Sequence, residues 1–275
     1  MRLGINYVPK HDSPEEWAEI LAQRGYHAAC FPVNYKSDVH IIDAYVRAAK
    51  SRDITIAEVG VWNSPFYPDK AIAQQARVTC EEQFRLADYI RACCCVNISG
   101  AMGKVWNGCY QENFSQDIYD KNVAFIQSLC DKVKPKYSCY TLEPMQWMVP
   151  DSPEQYLQII KDVDREGFLV HMDVVNFVKD PYTYTHLQEL MEKSFDLLGS
   201  YTKSCHVKDF SMLNNRSVSI HEVPVGEGCM DFLTYFDYID RLDKDMPVLI
   251  EHQSDMAAYD QANTYLGNLI NQNLY

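Results

Sequence analysis

The chain has ten cysteines but no Cys-x-x-Cys pair, which excludes a thiolate zinc site as its organising feature. No run approaches the roughly 20 apolar residues that a membrane-spanning helix needs. No apolar leader follows the opening MRLGINYVP, no GxGxxG follows the first strand-like run, and no HExxH occurs. Positive charge is scarce, with 25 Lys+Arg against 38 acids and a formal net charge of −13. That excludes a nucleic-acid backbone or an anionic membrane as the main partner. Cys93, Cys94 and Cys95 fall in one apolar run, where Cys behaves as a small buried hydrophobe. Reduced cysteines in a cytoplasmic enzyme are therefore expected.

What is present is a rhythm. LGINYV, HAACFPV, ITIAEVGVW, CCCVNIS, YSCYTLEP, FLVHMDVVN, KSCHVKDF and MPVLIEH read as strands, and each is followed by a helical pattern. Ser13 followed by Pro14 opens the first helix, with Glu16 at the capping-box position and Gly25 as its stop. Residues 100–114 and the stretch after KSCHVKDF read as long loops. Strands alternating with helices imply a parallel sheet. Eight units in a chain of this length imply a closed (β/α)₈ TIM barrel, for which about 250 residues suffice. No linker or composition break interrupts residues 1–275, so a single barrel domain is expected.

Such a barrel carries its chemistry at the C-terminal ends of its strands. The last four strands place Glu143, Asp173, His206 and Glu251 there. Three carboxylates crowded with one imidazole repel one another, and a divalent cation resolves the conflict. Oxygen-rich donors with one nitrogen suit Mn²⁺, Mg²⁺, Co²⁺ or Fe²⁺ and also accept Zn²⁺. His171 and Lys208 stand two residues from Asp173 and His206 and share their sides of the strands. His171 is either a partner of the site or barrel filling. Lys208 is assigned to substrate, with pairing to a nearby acid as the other reading. Glu58, Trp62 and Asn97 end the third and fourth strands as candidate lining, with Asn6 and Tyr7 weaker candidates. His252 is expected to point away from Glu251, and His11, His27, His40, His186 and His221 to lie at the surface.

EVGVWNSPFYPD (58–69), LEPM (142–145), HMDVVNF (171–177), HVKDF (206–210), PVGEG (224–228) and LIEH (249–252) resemble the sugar phosphate isomerase/epimerase group. These are xylose-isomerase-like TIM barrels that include ketose 3-epimerases and inosose dehydratases. The resemblance implies one divalent ion, Mn²⁺ first, held by Glu143, Asp173, His206 and Glu251. It implies that Glu143 and Glu251 also exchange a proton beside a substrate carbonyl, through an enediolate. Asn176 stands where the ketose epimerases have a substrate-binding His, Val149 where they have a Glu, and Met212 where they have an Arg. The expectation is therefore an isomerase or epimerase acting on an unphosphorylated sugar or cyclic polyol ketone other than a free ketohexose. A metal-dependent lyase, an inosose-type dehydratase or 3-keto-glycoside eliminase, is the alternative. The resemblance also implies a homo-oligomer.

Overall fold

The structure, a computed structural model, describes residues 1–213 and 217–272. Eight parallel strands close into a barrel: β1 (Arg2–Ile5), β2 (Ala28–Cys30), β3 (Thr55–Gly60), β4 (Cys94–Asn97), β5 (Tyr140–Leu142), β6 (Phe168–Met172), β7 (Thr202–Val207) and β10 (Pro247–Ile250). Around the barrel the order is β1-β10-β7-β6-β5-β4-β3-β2, so β1 meets β10 and completes the ring. The helices of the outer layer are α1 (Pro14–Gln23), α2 (Val39–Ser51), α3 (Lys70–Ile90), α4 (Gln116–Val133), α5 (Pro153–Val163), α6 (Pro181–Thr185), α7 (Leu187–Leu198), α8 (Phe232–Leu242) and α9 (Met256–Gln272). The (β/α)₈ barrel read from the sequence is the fold of the chain.

Local chemistry sets the helix starts. The Ser13 hydroxyl accepts the Glu16 N–H at 3.1 Å, and Pro14 occupies the first turn. The Glu16 side chain reaches past the cap to the Asp12 N–H, 2.6 Å away. One face of α1, Trp17, Ala18 and Leu21, is buried against the sheet. Fully buried Phe84, Tyr156, Phe168 and Tyr235 fill the same layer between helices and strands, each worth roughly 1.5–3 kcal/mol in transfer terms. Inside the barrel Ala28 and Ala57 pack against Leu249. A Cβ on Gly4 would lie 2.2 Å from the Ala28 carbonyl oxygen, so glycine permits the close approach of β1 and β2.

Two stretches read as loops hold structure. A short 3₁₀ turn, Gln111–Phe114, sits in the first. After β7 the chain breaks at Lys208 and forms an antiparallel hairpin, β8 (Asp209–Leu213) with β9 (Ser219–Val223); residues 214–216 lie outside the described residues. Runs of five residues with mixed polarity carry little strand signal, and KSCHVKDF hid the break by reading as one strand. Among the described residues no helix is long and apolar enough to cross a membrane. All ten cysteines are free, and Cys94 and Cys95 are fully buried.

Candidate metal centre

Glu143 follows the last residue of β5, Asp173 the last of β6 and Glu251 the last of β10, while His206 is next to last in β7. All four therefore rise from the same end of the barrel. Their backbones are pinned there. The Glu143 N–H donates to the Asn97 carbonyl at 2.8 Å, and the Glu251 N–H to the Val207 carbonyl at 3.2 Å. Buried tyrosines tie helices to two of the strands. The Tyr156 hydroxyl of α5 donates to the Leu142 carbonyl at 2.5 Å, and the Tyr235 hydroxyl of α8 to the His206 carbonyl at 2.8 Å.

The four side chains converge. Each offers one ligand atom, and these atoms lie within 4.8 Å of one another. His206 Nδ1 is 3.2 Å from both Glu143 Oε1 and Glu251 Oε2. Lys208, 2% exposed, brings its ammonium to 2.9 Å from Asp173 Oδ2 and 2.9 Å from Glu251 Oε2. With the three carboxylates ionised and His206 neutral, as ligation requires, the acids and Lys208 leave two negative charges, which a divalent cation balances. The donor set and its charge therefore fit such a cation, and the cluster is able to hold one.

The electrostatics separate the acids. Burial, and then the neighbouring Glu251, push Glu143 up to about 7 against the pull of His206 and Lys208. Burial also acts on Glu251, but His206 and Lys208 outweigh it and hold this carboxyl well below the ordinary range. For His206 burial disfavours the charge, yet Glu251, Glu58 and Glu143 together raise it well above its usual value. Burial and the adjacent His206 keep His171 neutral.

Above the cluster opens a cavity of about 630 Å³. Of the four converging residues, Glu143 and Glu251 line it, and Asp173 and His206 sit beneath. Lys208, Asn176 and Trp62 also line it, and the Asn176 amide donates to Glu143 Oε1 at 3.0 Å. Glu58, His171 and Asn97 do not reach this surface. Asn97 is fully buried, and its amide accepts the Asn63 N–H and donates to the Tyr140 hydroxyl. Glu58 and Trp62 part company because β3 ends at Gly60 and Trp62 turns to φ 52°. A Cβ on Gly60 would lie 2.2 Å from the Trp62 indole nitrogen, so glycine makes room for the ring.

Several lining residues escaped the sequence reading. Trp106 and Trp147 join Trp62, so three of the four tryptophans face one cavity. Both lie on loops after barrel strands, the place where sites are built, and that position was the available signal. The hairpin adds Ile220, His221 and Glu222, which places His221 at the cavity instead of the outer surface. His252 lines the cavity as well. The strand ends at Ile250 and His252 adopts φ 53°, so strict alternation fails. Its Nδ1 is 2.7 Å from Glu222 Oε2 and its Nε2 3.3 Å from Glu251 Oε1.

Residues 17–269 match the xylose isomerase-like TIM barrel family, and the chain belongs to it. Solved structures share the barrel at low identity. A probable 3-DHS dehydratase involved in petrobactin synthesis, from Bacillus anthracis, superposes with a TM-score of 0.72 at 16% identity, covering 98% of this chain and 99% of that one. The 3-keto-D-glucoside 4-epimerase of E. coli gives 0.70 at 14%, over 98% and 99%. A xylose isomerase-like protein from Mycobacterium smegmatis, in complex with magnesium, gives 0.70 at 14%, over 100% and 98%. No curated protein matches in sequence.

Proposed function

We propose that this protein is a divalent-metal-dependent isomerase or epimerase that moves a proton beside the carbonyl of a sugar or cyclic polyol ketone. One observation carries the reading. Of four clustered donors, the two that face the cavity are the two glutamates, Glu143 and Glu251. Glu143, Asp173, His206 and Glu251 would hold the ion, with Mn²⁺ first and Mg²⁺, Co²⁺, Fe²⁺ or Zn²⁺ also suited to the donors. When bound, such an ion polarises the substrate carbonyl and stabilises the negative charge that develops on its oxygen.

The chain's own residues supply the rest. Glu143 and Glu251 stand just beyond the ends of β5 and β10, with β6 and β7 between those strands. One carboxylate takes the proton from the carbon beside the carbonyl, and the other carboxyl returns a proton to the enediolate. Lys208 and Asn176, which both line the cavity, orient substrate oxygens. Trp62, Trp106 and Trp147 cover the apolar faces of the ring and exclude water.

A lyase is the second reading, because the same enolate expels a β-hydroxyl or a glycosidic leaving group. It is supported by the barrel shared with a probable dehydratase and by Asn176, Val149 and Met212 at positions that distinguish ketose epimerases. Proton NMR in D₂O decides between the two. The Mn²⁺-loaded protein is incubated with keto sugars, 3-keto glycosides and an inosose, and the metal is chelated before recording. Deuterium on the carbon beside the carbonyl, in a product otherwise of unchanged mass, is the expected result. A new alkene or a released leaving group would establish the lyase, and no exchange in any compound would overturn proton abstraction for this panel.

A further inference from the structure

We infer that Glu58 is a positioning residue for His206: its carboxylate accepts a hydrogen bond from the imidazole Nε2–H and so turns the Nδ1 lone pair toward the cation site. The inference rests on the cation-binding reading of the cluster. The sequence assigns Glu58 to substrate, but the fold puts it elsewhere. Glu58 lies within β3, is 1% exposed and does not line the cavity. Its Oε2 comes to 3.3 Å from His206 Nε2. The other ring nitrogen, Nδ1, is the one beside Glu143 and Glu251. One imidazole thus presents one edge to the ligand cluster and the other to a separate buried carboxylate.

Elementary chemistry assigns the proton. A neutral imidazole has one N–H and one lone pair. The nitrogen that ligates must offer its lone pair, and Nδ1 is the nitrogen among the ligand oxygens, so the proton resides on Nε2. Two groups stand beside Nε2. The Asn6 amide nitrogen is 3.2 Å away, but it also reaches Glu58 Oε1 at 3.4 Å and Glu251 Oε1 at 3.5 Å. A protonated Nε2 has no lone pair for the Asn6 amide, whose hydrogens are then left to those two carboxylate oxygens. Glu58 Oε2 carries no hydrogen bond of its own among the described residues, and it is the acceptor left for the Nε2 proton. His171 restrains the ring from the side. The two imidazoles meet edge to face with centroids 4.1 Å apart, and His171 is fully buried. Outer partners of this kind fix the tautomer and orientation of a ligand histidine, and their loss weakens metal binding by roughly 10–100-fold.

Glu58, His171 and His206 also offer atoms within 4.8 Å of one another, so a second ion there is the competing arrangement. Metal stoichiometry separates the two. The experiment is calorimetric titration of Mn²⁺ into the wild type, Glu58→Gln and Glu58→Ala, with the melting curve of each metal-free protein recorded alongside. One Mn²⁺ per chain is expected in all three, with Kd raised by roughly 10–100-fold for Ala and by less for Gln, whose amide oxygen still accepts a hydrogen bond from Nε2–H. A second measurement needs no variant. In the Zn²⁺-loaded wild type with ¹⁵N-labelled histidine, His206 is expected to show a protonated Nε2 and a ligated Nδ1.

Unchanged Mn²⁺ affinity in a folded Glu58→Ala protein would overturn the inference and leave the cation site standing. So would a protonated Nδ1 with Nε2 ligated. Two ions per wild-type chain, one of them lost in Glu58→Gln, would make Glu58 a ligand instead. A wild type that takes up neither Mn²⁺ nor Zn²⁺ would sink the cation reading itself, and this inference with it.

Discussion

Asp173 shows why an acid is tolerated at the end of a buried strand. It is 1% exposed, with Lys208 2.9 Å from one oxygen and the Asn176 N–H 3.3 Å from the other. One ammonium shared among four acids, Glu143, Asp173, Glu222 and Glu251, leaves charge uncompensated, and Glu143 is the acid that answers by keeping its proton. Its pKa of about 7 lies above the ordinary carboxyl value. Below about pH 7, then, the metal-free protein holds that proton, and it must leave before the oxygen can ligate. His206, also raised, gives up a proton on ligation. Divalent-ion affinity should therefore rise from pH 6 to pH 8, and binding should release more protons at pH 6 than at pH 8. Calorimetry in buffers of different ionisation enthalpy measures both; affinity and proton count that are flat across this range would contradict the charge assignment.

At the scale of the element, the hairpin β8–β9 and the turn after it deliver the polar side of the cavity. One carboxylate holds them. Asp209, at the first position of β8, accepts the backbone N–H groups of Phe210, Gly226, Gly228 and Met230 at 2.9–3.0 Å. A Cβ on Gly228 would lie 2.2 Å from Asp209 Oδ1, so the turn closes around the acid only because glycine stands there. Removing the carboxylate strands these donors. We expect Asp209→Ala to destabilise the protein by about 3 kcal/mol, lowering Tm by roughly 6–10 °C. Glu222 and His221 would then lose their fixed place, and binding of a substrate analogue should weaken more than binding of Mn²⁺. A scanning melt and two titrations check this; equal loss for both ligands would mean that the turn supports the metal centre directly.

For the whole molecule, the four converging residues lie at the ends of β5, β6, β7 and β10, strands contiguous in the closed barrel. An ion held by all four staples half the ring. At about 100 times Kd, an ion that binds only the folded chain adds about 2.7 kcal/mol. The expected rise in Tm is roughly 5–10 °C for a barrel of this size, reversed by a chelator. Differential scanning calorimetry with and without Mn²⁺ tests it, and a Tm indifferent to both Mn²⁺ and chelator would argue against a site spanning those strands.

The barrel was legible because its signals are local. Strand runs of a few residues alternate with capped amphipathic helices, and every barrel strand and main helix declares itself within a window of about 15 residues. The four convergent donors were legible for the same reason, since each immediately follows or ends an apolar run and barrel geometry sends such positions to one mouth. The hairpin, the two further tryptophans, His221, Glu222 and His252 were not legible in this way. Their roles depend on where strands stop and loops fold back, and His252 escaped because a single left-handed residue breaks the alternation. Glu58 is the clearest case. Nothing local distinguishes a carboxylate that touches substrate from one that orients a histidine. The partners of His206 on its Nε2 side, Asn6 and Glu58, come from β3 and the end of β1, and Asn6 is 200 residues away in the chain. Only closure of the ring between β1 and β10 brings them to one imidazole.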